Sequence, residues 1–351
     1  MVRYLPLFVA CLFAAHPLEV LAQETPYQPP AIDEGYITDH QHELLVRLYG
    51  SNKFTRLSYG EYGRKEHVLY KPNSNYNIGV GFNYQWLGVN IGFTTPFINN
   101  DNDRFGRTDY LDLQAYVYLR KFVIDFYAQS YESYFLANND VLQIAPSSRL
   151  IRSDLQTRNL GFSVEYLFNH RKFSYRAAYL QNEHQKKSAG SFLAGAGFLY
   201  LNVRADSAIL PAGIRYADFL ANQQFNQTST GVFTVHGGYA HTFVINRHFF
   251  VMGSVIAGIG ANSMTIKDDN ARTSDSKFSL SFNGILRTGI GYNSDDYYAG
   301  VYFVTNLRHD EMPIIDAWQR YETGMLRIAL AKRFTLKPKV ARLLKKTGVF
   351  F

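Results

Sequence analysis

The chain has 351 residues, 16% of them aromatic (26 Tyr and 27 Phe but 2 Trp), and a formal net charge of +7. Its mean hydropathy is slightly negative, which excludes a bundle of membrane-spanning helices, because each such helix needs about 20 mostly apolar residues in a row. The basic balance suits contact with anionic lipid headgroups, and no nucleic-acid recognition motif accompanies it, so nucleic acid is not expected as a partner.

Residues 1–22 carry Arg3, an apolar run over 5–15, and Val20, Leu21 and Ala22 before Gln23. That is the layout of a cleaved secretory signal peptide, and the run is too short to span a bilayer. Cys11 is the single cysteine and lies inside this segment, so the mature chain is expected to hold no disulfide. Acylation of Cys11 as a lipoprotein would need a longer apolar region upstream.

Residues 23–40 read as a periplasmic N-terminal segment and 41–334 as a barrel, with a candidate first strand at 42–50. In the stretch 96–112, Asp101, Asp103, Gly106, Asp109 and Asp112 follow the spacing of a calcium loop, but Phe105 occupies a ligand position and Asp112 replaces the bidentate Glu. No metal is therefore expected there. A structural zinc is not expected either, since the mature chain offers neither thiolate nor paired-His spacing.

Alternation of side chains then takes over. Over 111–119, Leu111, Leu113, Ala115 and Val117 alternate with Asp112, Gln114, Tyr116 and Tyr118. After Arg120 and Lys121, Phe122, Ile124, Phe126 and Ala128 alternate with Asp125, Tyr127 and Gln129. Successive strand side chains point to opposite faces, so the apolar sets face lipid and the polar sets a lumen. These two segments form a hairpin. A second hairpin is predicted from Leu160, Phe162, Val164 and Tyr166 to Phe173, Tyr175, Ala177 and Tyr179, turning at Asn169 and His170, with Ser163, Glu165, Ser174 and Arg176 facing inward.

Further along, His236 shares a face with Thr234, Gly238 and Thr242 and points to the lumen, whereas His241 joins Val235, Tyr239 and Phe243 toward lipid. The clearest pattern covers 278–292: Phe278, Leu280, Phe282, Gly284, Leu286 and Ile290 on one face, Ser279, Ser281, Asn283, Arg287, Gly289 and Gly291 on the other. Short turns fall near 87–88, 246–247 and 294–295, on the periplasmic side if the usual arrangement holds, which makes 96–107, 134–155, 262–276 and 307–321 the external loops. The last strand covers 325–334 with Arg327 inward, and a basic tail follows over 335–351 with Lys337, Lys339, Arg342, Lys345 and Lys346.

Thirteen segments result, and the two halves disagree on the direction of the strand at 191–204. Either a strand hides in 205–229, or the segment at 183–190 passes through the lumen. The fold expected is all-β: a transmembrane antiparallel up-and-down barrel of 12–14 strands in an outer membrane.

The run Asn182-Glu183-His184-Gln185-Lys186-Lys187-Ser188-Ala189-Gly190-Ser191-Phe192-Leu193-Ala194-Gly195, after Lys172-Phe173-Ser174-Tyr175-Arg176, resembles the central signature of an outer-membrane β-barrel family of Gram-negative bacteria classed as a domain of unknown function (DUF4421 type). Tyr70-Lys71-Pro72-Asn73, Gly79-Val80-Gly81, Tyr110-Leu111-Asp112-Leu113-Gln114 and Gly237-Gly238-Tyr239-Ala240-His241 extend the resemblance. It implies a barrel and no activity, with Gln185, Lys186, Lys187, Ser188 and Gly190 as family-like positions. It implies Tyr where His241 stands and Trp where His184 stands, so neither histidine is marked as a family residue.

No catalytic constellation is evident and no cofactor is implied. A lipid-acting enzyme would need an outward Ser near His241, and its strand has none. The inward set Asp112, Gln114, Asp125, Gln129, Glu165, Arg176, Arg287 and Arg327 reads either as a charged constriction of a pore or solute transporter, or as an ion-pair network filling a closed scaffold whose loops bind a partner. Outer-membrane lipid, lipopolysaccharide and, during biogenesis, the barrel-assembly machinery are the expected partners; the chain is not expected to be an enzyme.

Overall fold

The computed structural model describes residues 32–336 apart from 75, 86, 95–98, 143–148, 217 and 269–271. The expected signal peptide and residues 337–351 of the basic tail lie outside the described residues.

Fifteen strands follow in order among these residues: β1 Ile37–Asp39, β2 Glu43–Glu61, β3 His67–Lys71, β4 Tyr76–Tyr84, β5 Leu87–Thr94, β6 Asp109–Tyr118, β7 Phe122–Leu136, β8 Ile151–Leu167, β9 Glu183–Gln185, β10 Ala189–Arg204, β11 Gln227–Ile245, β12 Phe249–Asp268, β13 Thr273–Asn293, β14 Tyr297–Glu311 and β15 Ala317–Thr335. Two short α-helices accompany them, α1 Asn102–Phe105 before β6 and α2 Tyr175–Tyr179 between β8 and β9, with 3₁₀ turns at Asn139–Val141 and Phe219–Asn222. Antiparallel pairing runs β2-β3-β7-β8-β10-β11-β12-β13-β14-β15, and β15 returns to β2 along its whole length, from Ala317 opposite Glu61 to Thr335 opposite Glu43. The circuit is closed and contains ten strands. The β15–β2 pairing removes the two edges that these strands would present in an open sheet.

Three more strands complete a 13-stranded sheet. The β4–β5 hairpin pairs with the first half of β2, and β6 pairs with β7. Among the described residues β5 pairs with β4 alone and β6 with β7 alone.

The alternation seen in the sequence is what the wall uses. On β13, Phe278 and Leu280 are 76% and 63% exposed while Ser281 and Arg287 are 0% exposed. Leu111, Leu113, Val117, Phe122, Phe126, Leu160, Phe162, Val255, Ile259, Ile290 and Leu330 are exposed in the same way. The barrel therefore wears its large apolar side chains outside and folds its polar ones in, the reverse of a water-soluble barrel.

Two expectations are corrected. Residues 173–179 are not the second arm of a hairpin: Leu167 of β8 lies opposite Leu193 of β10, and α2 with β9 leaves the wall for the interior. That settles the parity conflict in favour of lumen passage, because the described residues of 205–226 hold no strand of the sheet and β10 pairs directly with β11. The loops expected at 262–276 and 307–321 are also mostly strand: β12 and β13 stay paired as far as Asp268 opposite Thr273, and β14 continues to Glu311. Ladder hydrogen bonds continue there through residues such as Thr273, Ser274, Asp275 and Ser276, which lack an apolar face.

Short connections at 119–121, 246–248 and 294–296 share one end of the barrel with the start of β2, the end of β15 and the connection 168–188; the other long connections share the opposite end. Buried apolar residues form two clusters. One gathers Phe173, Tyr175, Ala178 and Tyr179 with wall residues near the short turns, and the other gathers Ile209, Leu210, Phe219, Leu220 and Phe225 with wall residues near the long connections.

Candidate functional site: the occupied lumen

At the short-turn end the polypeptide plugs its own barrel. Ser174 starts α2, its Oγ accepting from the Ala177 amide at 3.1 Å and donating to Glu183 Oε2 at 2.5 Å, so one hydroxyl caps the helix and ties it to β9. Tyr118 of β6 stacks on Tyr175 and Tyr179, with ring centroids 5.8 and 5.2 Å away, and Tyr179 meets the edge of Tyr302 at 5.2 Å. Tyr175 shares a hydrogen bond of 2.6 Å with Ser254.

The carbonyls at the end of α2 cannot be satisfied within a single turn of helix, and a buried carbonyl must find a donor. The wall supplies them. Tyr298 donates to Ala178 O at 2.8 Å, Arg47 to Leu180 O at 3.0 Å, and Arg333 Nη2 to Gln181 O at 2.6 Å and Asn293 Oδ1 at 2.8 Å. Glu183, fully buried, meets both Arg120 and Arg176. Outside this core, burial lowers the His184 imidazole below its ordinary range, and His170 is lowered by burial together with Lys121 and Arg120.

Between the two apolar clusters lies a polar layer. Asp125 and Arg287 form an ion pair with both side chains 0% exposed, and Tyr127 donates to Asp125 Oδ2 at 3.2 Å. Asp112 accepts from Tyr131 at 2.6 Å and from Gln129 and Gln114 at 3.2 Å each, and pairs with Lys53 at 3.3 Å. Asn159 donates to Gln129 at 2.9 Å. His236 bonds Thr234 Oγ1 at 2.6 Å and faces Glu165 at 3.3 Å, out of hydrogen-bond alignment. Arg308 donates to Asp310 at 2.6 Å, and Arg327 lies over the Tyr49 ring at 4.4 Å. A cavity of about 30 Å³ beside Tyr127, Ser163, Thr234, His236, Asn283 and Arg308 has room for about one water.

The other end is covered by residues 205–226. Tyr70 and Arg152 both donate to Ile209 O, at 2.6 and 3.1 Å, and Arg152 holds Asp154 at 2.8 and 2.9 Å, with Ser207 bonded to the same carboxylate. Glu61 Oε1 accepts from the Leu220 amide at 2.9 Å. The lumen is thus filled from both ends by connections that leave the wall and return to it.

A family profile described as Domain of unknown function (DUF4421) matches residues 31–323, which is most of the chain. The chain belongs to this family. No curated protein matches it. Solved structures similar to the DUF4421 chain include the translocator domain of autotransporter NalP from Neisseria meningitidis, at 8% identity over 83% of this chain and 88% of that one with a TM-score of 0.32. OmpT, an outer membrane protein of Vibrio cholerae, has 9% identity over 81% and 97% with a TM-score of 0.26, and the P. putida toluene transporter TodX 8% over 84% and 91% with 0.17. Superpositions this loose transfer neither role nor residue to the DUF4421 chain.

Within the DUF4421 chain the structure brings Asp112, Gln114 and Gln129 into one set of contacts and Asp125 with Arg287 into another, and it places Glu165 and Arg327 on the same inner wall. Arg176 belongs to the plug. The family-like run is the plug's return path. Gln185 Oε1 accepts from the Ser174 amide and its Nε2 donates to Lys172 O and Lys187 O; the Lys186 amide donates to Tyr36 O, and the Lys187 ammonium sits over the Tyr36 ring at 5.5 Å. Ser188 Oγ accepts from the Val244 amide at 2.9 Å. At Gly190 a Cβ would overlap the Tyr239 hydroxyl, the His241 ring and Ala240 O, so only glycine fits.

The calcium-loop positions do not converge. Asp101 accepts from Asn73, Asp109 pairs with Arg107, and Asp112 is committed inside the barrel. His241 faces outward between Tyr239 and Phe243. Sequence reading missed Arg47, Arg333 and Arg308. Arg47 alternates with outward Val46 and Leu48 and was within reach of the period-2 pattern; nothing local marks Arg333 as a donor to a carbonyl 152 residues away.

Proposed function

We propose that the protein is an outer-membrane β-barrel that works as a closed scaffold, its lumen occupied by its own polypeptide. The observation that carries this reading is the double filling of the barrel, α2 and β9 at one end and residues of 205–226 at the other, around a polar layer of paired and hydrogen-bonded side chains. Outer-membrane lipid and lipopolysaccharide would cover the apolar exterior, and barrel-assembly machinery would insert it. Partner binding falls to the strands and connections that continue past the apolar belt at the long-connection end. The file Thr234, His236 and Glu165 has the order of a hydroxyl, a base and a carboxylate, but it lies between the two plugs beside a cavity of about 30 Å³, and we read it as structural.

Planar-bilayer recording of folded protein, together with fractionation of native membranes, tests the proposal. Absence of a steady current from protein recovered in the outer membrane is expected. A stable ohmic current from the wild type would overturn it, as would recovery in the inner membrane. A second reading rests on one feature: β5 and β6 do not pair with each other, and the inward residues Asn90, Gly92 and Thr94 of β5 are exposed. Solute passage along that seam predicts a current sensitive to Lys53→Ala and Asp112→Ala, since this pair lies beside β6.

A further inference from the structure

His40, His184 and Asp295 are far apart in sequence and meet at the short-turn end. His40 follows β1, His184 is in β9, and Asp295 is in the turn between β13 and β14. One ligand-capable atom from each lies within 4.8 Å of the others, the one such group of three found among the described residues. His184 Nδ1 is 3.4 Å and His40 Nε2 3.7 Å from the same oxygen, Asp295 Oδ1.

The outer nitrogen of each ring decides what the inner one offers. His184 Nε2 is 2.9 Å from the Arg247 carbonyl oxygen, which can only accept, so Nε2 carries the proton. His40 Nδ1 is 3.2 Å from Glu43 Oε1, and a carboxylate there takes the proton-bearing nitrogen in the same way. In the neutral tautomers that these acceptors select, each ring turns a lone pair toward one carboxylate. His40 Nε2 is buried, with the residue 6% exposed, and makes no hydrogen bond. Two lone pairs and an anion converging on one point repel unless a cation stands between them.

We propose that His40, His184 and Asp295 form a site for a divalent transition metal of the zinc class. Two imidazoles and a carboxylate are the ligand chemistry of such ions, and their bonds of about 2.0–2.2 Å place neighbouring donors about 3–3.5 Å apart, close to the 3.4 and 3.7 Å that separate the two rings from Asp295 Oδ1. Glu43 and the Arg247 carbonyl are the outer acceptors that orient metal-binding histidines. Asp295, with its side chain 76% exposed, leaves the fourth position open to water. Calcium and magnesium, which want oxygen cages, do not suit two nitrogens. The bound ion would fasten the chain ahead of β2, the plug strand β9 and the rim turn of the wall to one another. The site goes beyond the closed-scaffold reading, and the assay below reads binding, so the two can fail separately.

The test is calorimetric titration of Zn²⁺ into untagged, chelator-treated, folded protein in detergent, with Co²⁺ absorption as a second readout. One Zn²⁺ per chain is expected, with a Co²⁺ spectrum of nitrogen and oxygen ligation. Asp295→Ala should weaken Zn²⁺ at least about 10-fold, and Glu43→Gln about 10-fold. Asp295 is exposed and Arg333 holds its backbone carbonyl, a contact the substitution keeps, so folding is retained and is checked by gel mobility with and without heating. Zn²⁺ affinity equal in wild type and Asp295→Ala would place the ion elsewhere, no stoichiometric binding would leave a proton shared by the two imidazoles and Asp295, and either result would overturn the proposal.

Discussion

At the scale of single residues, the Asp125–Arg287 pair is the most exacting arrangement in the lumen, because neither side chain touches solvent. Removing one partner leaves an uncompensated buried charge, which costs about 3–5 kcal/mol, whereas replacing both with apolar groups of similar volume is often neutral. Arg287→Met should therefore lower stability by about that amount in urea titrations of the folded barrel, and Asp125→Leu combined with it should recover most of the loss. Additive losses in the double variant would mean that each residue is held by other partners, among them Tyr127 for the carboxylate and the Tyr175 ring for the guanidinium. Gly190 sets a different limit, one of space: the methyl of Gly190→Ala has no room beside Tyr239, His241 and Ala240. That variant should loosen the β10–β11 register near the turn, seen as faster amide exchange at Val244, whose N–H donates to Ser188.

At the scale of elements, α2 is held by rings and by donors that belong to the wall, so its stability is that of its seat. Tyr179→Ala should cost about 3–5 kcal/mol, the range for emptying an aromatic site in a packed interior, and should introduce intermittent current in bilayer recordings if the plug is what blocks the lumen. Ser174→Ala removes a cap worth about 1 kcal/mol and should do so more weakly; a silent bilayer for both variants, with folding retained, would place the block at 205–226 instead. Wall strands such as β13 were legible in the sequence because one face must be apolar and the other polar, and that constraint prints a period of two. The plug was not, and its residues misled: Phe173, Tyr175 and Ala177 alternate with the polar Ser174 and Arg176 as a strand would. A one-turn helix enclosed in a lumen has no solvent face to stamp a period of 3.6 on it, so length and period cannot separate the two states. The meeting of His40, His184 and Asp295 left no local trace for a related reason, since closing the barrel, and not spacing along the chain, is what brings them together.

At the scale of the whole molecule, the apolar exterior is a single belt built from β4, β5, β6 and every strand of the closed circuit except the short β3, and its energetic meaning depends on depth. Val255 on β12 is 62% exposed, sits opposite Leu286 on β13 and lies well inside its strand, whereas Tyr297 begins β14 beside the short turn at 294–296. A charge on the outward face costs about 2–4 kcal/mol at the bilayer midplane and about 0–1 near the interfaces. Val255→Arg should therefore destabilise the barrel several times more than Tyr297→Arg when unfolding is followed in lipid vesicles. In detergent micelles, which deform around a buried charge, the difference should shrink. Equal costs at the two positions in vesicles would mean that the belt is not a membrane-spanning surface but a face covered by another protein, and the placement of the barrel in a bilayer would fall with it.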